Sequence, residues 1–277
     1  VSQYADKNIY AMFMQKNLGP PRSAGLVTLV HDFIDSYVQP RKAWQYNPAT
    51  RRVRRAPDIT YDTVLAAGGG IVQEIAPDGT VVWEYTYANS DHISHHDLTL
   101  IGNNVLLTAY EKKSSLELSA AGFNNANSEK WPTHFIELEP DGIGGANIVW
   151  EWHIWDHMCQ DTDVNKPNYV ADISDFPQLI DINMIDQGPP GGDWFHVNGV
   201  DYNEDLDQIV FSSRFASEIY IIDHSTTTAE AASHSGGNSG IGGDIMYRWG
   251  NPANYGMSGS QIIDNAVHDP RWIKDDG

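Results

Sequence analysis

One hairpin wording recurs three times in this chain, and that repeat limits the fold more than any other feature. The first copy runs Ile75-Ala76-Pro77-Asp78-Gly79-Thr80-Val81-Val82-Trp83-Glu84-Tyr85. The second runs Leu138-Glu139-Pro140-Asp141-Gly142 and closes on Ile148-Val149-Trp150-Glu151-Trp152. The third is looser: Ile221-Ile222-Asp223, a Gly/Ser/Thr-rich excursion, then Ile245-Met246-Tyr247-Arg248-Trp249. Pro-Asp-Gly turns the chain because Pro presets φ and Gly accepts a positive one. The aromatic-rich return strand suits a packed sheet.

A histidine followed by a strand precedes or separates these hairpins. His96 leads Asp97-Leu98-Thr99-Leu100-Ile101 into a Gly102-Asn103 turn. His196 leads Val197-Asn198-Gly199-Val200-Asp201-Tyr202, and His268 leads Asp269-Pro270-Arg271-Trp272-Ile273. Four-stranded units repeating at long period cannot bury both sheet faces alone, so they stack. The expectation is an all-β chain whose residues 65–277 form about three to four blades of a β-propeller. A propeller's innermost strands start near its axis, so a histidine recurring at that point converges with its copies. Residues 153–194 read as an insertion, with a short helix expected around Phe176–Ile180.

The bulk numbers agree with an all-β chain: 9 Trp, 13 Tyr, 8 Phe, 24 Gly and 14 Pro in 277 residues. A net charge of −20 argues against a nucleic-acid partner and against adhesion to anionic lipid. Cys159 is alone, so no intrachain disulfide forms. No apolar run is long enough to span a membrane as a helix. No signal peptide is visible, and the chain starts on Val1.

Charge divides the chain near residue 64. Residues 1–64 hold nine Lys and Arg against five acids, whereas 65–277 hold eight against thirty-two. Within the basic part, Lys42–Tyr46 and Arg51–Arg55 read as a hairpin around Asn47-Pro48-Ala49-Thr50. The wording "AWQYNPATRRVRRAPDITYDT", preceded by "LGPPRSAGLVTLVHDFID", resembles uncharacterised Gram-negative envelope proteins related to outer-membrane lipoprotein-sorting proteins. The resemblance implies that residues 1–64 are a β-rich fragment of a curved half-barrel sheet.

Three residues dominate the chemistry: His96, His196 and His268. Neutral imidazole is a nucleophile and also an acid or base near pH 7. Arg214, at the end of the strand Ile209–Ser213, offers a planar fork suited to sulfate or phosphate oxygens. Asn198 lies two residues beyond His196, on the same strand face. Clustered histidines also suit a metal, and His92, His95 and His96 are flanked by Asp91 and Asp97. Strand alternation turns His95 and His96 to opposite faces, so no metal site is expected there. Gly68-Gly69-Gly70 lacks the Lys-Ser/Thr of a phosphate loop, and no Gly-x-Ser-x-Gly elbow exists. Cys159 reads as inert.

The phrases "GGGIVQEIAPDGTVVWEY", "HHDLTLIGNNVLLTAYE", "DWFHVNGVDYNEDLDQIVFSSR", "GDIMYRWGNPANY" and "HDPRWI" resemble the bacterial arylsulfotransferase family in order, over about residues 66–277. That resemblance implies a six-bladed propeller in the periplasm, working without cofactor or nucleotide sulfate donor. It implies transfer of a sulfuryl group from a phenolic sulfate to a phenol through N-sulfohistidine. His268 falls on the nucleophile, Arg214 on the sulfate-clamping arginine, and His196 and Asn198 on sulfate-binding positions. His96 falls on a further channel histidine, with His95 as its alternative. The expected partners are the phenolic donor and acceptor, with a second copy of the chain as the only macromolecular one. The competing readings are a non-catalytic envelope propeller and an aryl sulfate hydrolase.

Overall fold

The computed structural model describes residues 9–16, 27–33, 42–48, 50–55, 70–75, 81–142, 144–185, 192–263 and 267–273. The chain divides into two compact units, Val1–Ala67 and Gly68–Gly277.

The first unit holds one antiparallel sheet in sequential order: β1 (Ile9–Lys16), β2 (Val27–Phe33), β3 (Lys42–Asn47) and β4 (Arg52–Arg55). The basic stretch is a hairpin, with Tyr46 opposite Val53 and Asn47 opposite Arg52. Its tip is tight. Asn47 Oδ1 accepts from the Thr50 N–H, and Arg51 turns through φ 53°.

The second unit begins with a two-stranded pair, β5 (Ile71–Ile75) and β6 (Val81–Thr86). The Pro77-Asp78-Gly79 turn between them lies outside the described residues. Next comes a four-stranded meander of β7 (His92–Ile101), β8 (Asn104–Glu111), β9 (Thr133–Pro140) and β10 (Ala146–His153). Between β8 and β9 a short helix, α1 (Ser115–Ala120), starts on a capping box in which Ser114 and Glu117 satisfy each other's backbone. Two-residue strands β11 (Met158–Cys159) and β12 (Ile180–Asp181) pair in parallel inside the insertion. The helix expected at 176–180 is instead a 3-10 turn at Ile173–Asp175, started where Asp172 caps the Ser174 N–H. A second meander follows: β13 (Val197–Asn203), β14 (Gln208–Ser213), β15 (Glu218–Asp223) and, after helix α2 (Thr228–Ala231), β16 (Tyr247–Trp249).

Period-two alternation sorts the side chains into layers. Leu106 and Phe135 leave one face of the first meander and join Val200, Ile209, Phe211 and Tyr220 of the second. Val105, Leu107, Ile136 and Leu138 leave the other face and pack on Trp83 of β6. Phe211 is the hinge of the larger core, with ring centres 5.1 Å from Phe135, 5.5 Å from Trp152 and 5.1 Å from Tyr220. The indoles of the repeated return strands reach forward along the chain. Trp83 donates to the Gly145 carbonyl, Trp150 to the Thr226 hydroxyl and Trp152 to the Gly243 carbonyl. The chain is therefore all-β, built in layers. Among the described residues, no helix is long and apolar enough to cross a membrane.

Candidate functional site

The first strands of the two meanders run beside each other, and a histidine in a conformation that L-residues rarely adopt lies within β7 and immediately before β13. His96 and His196 each have φ 54°. A non-glycine residue there is strained by about 1–2 kcal/mol and persists only where its surroundings hold it. The holding device is the same in both meanders. In β7 the ladder slips between Ser94 and Leu98, so His95, His96 and Asp97 oppose Thr108 alone. The buried Thr108 hydroxyl binds the carbonyls of His95 and Asp97. In β13 the ladder slips between Val197 and Gly199, and the buried Ser213 hydroxyl binds the Phe195 carbonyl. Each left-handed histidine thus follows a residue whose carbonyl is pinned by a hydroxyl of the next strand.

The bulge overturns the expected separation of His95 from His96. Alternation is broken at His96, and the two Nδ1 atoms lie 2.8 Å apart. The His96 and His196 rings meet edge-to-face at 4.5 Å. His95 stacks on Tyr110 at 3.5 Å. Burial, then the neighbouring His96, His196 and His134, push the His95 imidazole well below its ordinary pKa. It is a neutral ring at pH 7.

His196 is held differently. Its Nδ1 meets the Asp193 carboxylate, while Nε2 is buried without a hydrogen-bond partner among the described residues. A carboxylate on one ring nitrogen fixes the tautomer and leaves the other as a lone-pair donor. Arg214 follows β14, and its N–H donates to the His196 carbonyl at 3.0 Å. Its guanidinium lies 5.3 Å from the Phe215 ring, which the His196 ring contacts at 5.0 Å.

Asn198 occupies the bulge and is already engaged. Its carbonyl accepts from Ser212 at 2.6 Å, and its amide donates to the Val267 carbonyl at 2.8 Å. It therefore anchors the residue just before His268, which suits positioning better than substrate binding. The segment around His268 lies along β13. A Cβ on Gly199 would stand 2.5 Å from Pro270 Cδ and 2.7 Å from Asp269 Cα, so only glycine permits the approach. Arg271 donates to the Val200 carbonyl at 2.8 Å, and the Trp272 N–H to Asp201 at 2.9 Å. Asp97 of β7 accepts from the Val200 N–H at 3.0 Å. Three segments therefore stand in a row, β7, β13 and 267–273, with His96, His196 and His268 in or beside them. An open cavity of about 200 Å³ borders His95, His96 and Asp97. Larger cavities of about 590 and 770 Å³ lie elsewhere, both bordered by His234.

A second histidine row crosses the far end of the first meander. His134 accepts or donates to the Tyr87 hydroxyl at 2.9 Å and stacks on His153 at 4.8 Å. Burial, then the charge of His153, drives the His134 pKa down to about 3. Burial alone would lower His153 too, but the Glu111 carboxylate at 3.3 Å holds it above its ordinary value. Cys159 is buried, and burial pushes its thiol up to about 12, so it is not a nucleophile near neutral pH.

Sequence reading named His95, His96, His196, His268, Arg214 and Asn198. It missed Asp193, which stands three positions before His196 in a stretch read as insertion, and it missed Phe215, Thr108 and Ser213. Asp193-Trp194-Phe195-His196 did carry the signal of a carboxylate within reach of a ring nitrogen.

Fold and site together define an all-β protein in which histidines meet where β7 runs beside β13, next to a cavity lined by β5, β7 and β8. The chain belongs to the family described as "Protein of unknown function (DUF1329)", whose family model matches residues 2–155. It is also similar to the uncharacterized protein PA3922 of Pseudomonas aeruginosa, 44% identical over 64 residues. Those residues are 23% of this chain and 14% of that protein's length. These findings correct the expectation of an arylsulfotransferase relationship. No arylsulfotransferase family matches, and the family that does runs from residue 2 across the charge change at 64 into the first meander. The shared phrases are those of repeated strand-turn-strand units, and such wording follows from the turns and aromatic strands without requiring that ancestry. The resemblance to uncharacterised proteins at the amino-terminal end agrees in kind with both matches.

Proposed function

We propose that this chain moves a sulfuryl group from a phenolic sulfate ester to a phenolic acceptor through a sulfated histidine. The observation that carries the reading is the meeting of His96 and His196. They stand on adjacent strands in the same strained conformation, with rings 4.5 Å apart. Strain held at matching points of two sheets is a cost that folding alone does not require. The reading takes its support from this geometry and owes nothing to family membership.

In the first half-reaction a lone pair of the His268 imidazole attacks sulfur. The N–S bond forms as the aryl S–O bond breaks, and the phenolate leaves with the bonding pair and takes a proton from a protonated imidazole of the cluster. In the second, the acceptor's hydroxyl oxygen attacks the same sulfur and gives its proton to a cluster imidazole. The N–S bond then breaks and its pair returns to His268. Sulfuryl transfer resembles phosphoryl transfer in needing position and charge compensation more than covalent help from further groups. Arg214 supplies the cation for the three sulfuryl oxygens. Asp193 keeps His196 in one tautomer.

The fold reading that accompanies this function is a β-propeller. It is supported by two successive four-stranded meanders whose first strands adjoin, and by indoles that reach from the first two return strands to the next module. Tyr247 and Trp249 of the third return strand are 52% and 40% exposed, whereas Trp83, Trp150 and Trp152 are buried. A further module would cover them.

The test is mass spectrometry of the His268 peptide after brief exposure to 4-nitrophenyl sulfate without acceptor, under non-acidic handling. A sulfuryl adduct on His268, and loss of turnover in His268→Ala, are expected. A folded protein that forms no adduct, or a His268→Ala variant with wild-type turnover, overturns the reading.

A further inference from the structure

The geometry points to a second site, independent of the first, at which His157, His234 and Asp244 bind a late first-row transition-metal ion of the zinc class. One ligand atom from each of these residues lies within 4.8 Å of the others. Asp244 Oδ1 is 2.8 Å from His157 Nδ1 and 2.7 Å from His234 Nδ1. The opposite nitrogen of His157, Nε2, donates to the Ala231 carbonyl at 2.8 Å. That bond fixes the tautomer with its hydrogen on Nε2, so a lone pair on Nδ1 faces the carboxylate. Two electron-rich atoms at 2.8 Å repel unless a positive charge sits between them. Either a second proton on the ring or a metal ion supplies it. A metal-bound histidine usually donates its other N–H to a carbonyl or carboxylate, as His157 does here.

The surroundings are built rather than loose. His157 is fully buried and stacked parallel to Trp152 at 5.4 Å, and Asp244 is 4% exposed. A buried carboxylate requires a charged partner or a metal. Gly243 brings the loop in as no other residue could. A Cβ there would stand 2.0 Å from the Ala231 carbonyl oxygen and 2.7 Å from His157 Nε2. His234 completes the set from the open side, with its side chain 61% exposed and bordering the cavity of about 590 Å³. Two imidazole nitrogens and one carboxylate oxygen suit Zn²⁺, Ni²⁺ or Cu²⁺. Mg²⁺ and Ca²⁺ prefer oxygen ligands throughout. Bound metal would clip the loop between α2 and β16 to the turn that follows β10.

The test uses the full chain, stripped with a chelator and dialysed, then titrated with Zn²⁺ by calorimetry and followed by thermal melting. One equivalent binding with a raised Tm is expected, with no response to Mg²⁺. His234→Ala changes only an exposed side chain, so the fold is kept, and it should weaken Zn²⁺ binding about tenfold or more. Absence of binding at about 100 μM Zn²⁺, some 5.5 kcal/mol of binding free energy, overturns the site. Zn²⁺ affinity unchanged in His234→Ala overturns it equally, because the ion would then lie elsewhere. A Zn²⁺ affinity lost in His234→Ala and unaffected in His92→Ala supports it.

Discussion

The two meanders of the second unit share a scaffold and differ in chemistry. Each carries a left-handed histidine in or just before its first strand, and each pins the preceding carbonyl with a hydroxyl of the adjacent strand: Thr108 in the first, Ser213 in the second. Beyond that the environments part. His96 leans on another imidazole, His95, itself pressed flat against Tyr110. His196 leans on a carboxylate, Asp193. Repetition placed the two histidines, and their neighbours diverged.

The largest effect should come from the residue that joins the two sheets. Phe211→Ala removes a ring that touches Phe135, Trp152 and Tyr220 together. It is expected to cost about 3–5 kcal/mol in urea denaturation and to loosen both meanders in one transition. Amide-exchange protection lost in only one meander of Phe211→Ala would mean that the sheets are independent.

Acid should act on the first meander before the second. The folded pKa of His134 is about 3. An unfolded histidine titrates near 6.5, so below that pH the unfolded chain takes up a proton that the folded one refuses. The contribution of His134 is complete above about pH 6.5 and shrinks as pH falls towards 3, by about 1.4 kcal/mol per pH unit at most. Stability measured against pH in wild type and His134→Asn should differ in slope across that window. Parallel slopes would place the acid sensitivity elsewhere.

Asp193→Asn sharpens the contrast between the two histidines. It leaves the site's shape but loses the anion on His196. Turnover of an aryl sulfate should fall about tenfold to a hundredfold, with a shifted pH profile. An unchanged profile would leave Asp193 a structural role only. The smallest effects belong to the shared device: Thr108→Val and Ser213→Ala should each cost about 1–3 kcal/mol by leaving a buried carbonyl unsatisfied. If only one of the pair did so, the equivalence of the two bulges would fail.

Much of this architecture was legible in the residues. The aromatic return strands, the Asn47–Thr50 hairpin tip and the histidines recurring near β7 and β13 follow from turn chemistry and period-two patterning. The bulges did not, because left-handed backbone is advertised by glycine, and here histidine occupies it. That is why His95 and His96 were expected on opposite faces and were found in contact. Asp193 was hidden because its partner is set by the turn before β13 and by no strand spacing. The His157, His234 and Asp244 trio spans 88 positions of sequence and is assembled only by the loop that Gly243 draws in. Family ancestry was misread for a related reason, since phrases dictated by sheet geometry carry little genealogical information.

Cys159 gives the molecule a built-in clock. The thiol is 1% exposed, on the short strand β11 that pairs with β12 inside the insertion, and burial holds it protonated. No other thiol competes with it. At a reagent concentration high enough to outpace reclosing, the rate at which a thiol-specific reagent modifies this protein is therefore the rate at which that part of it opens, readable on the natural sequence without an engineered label.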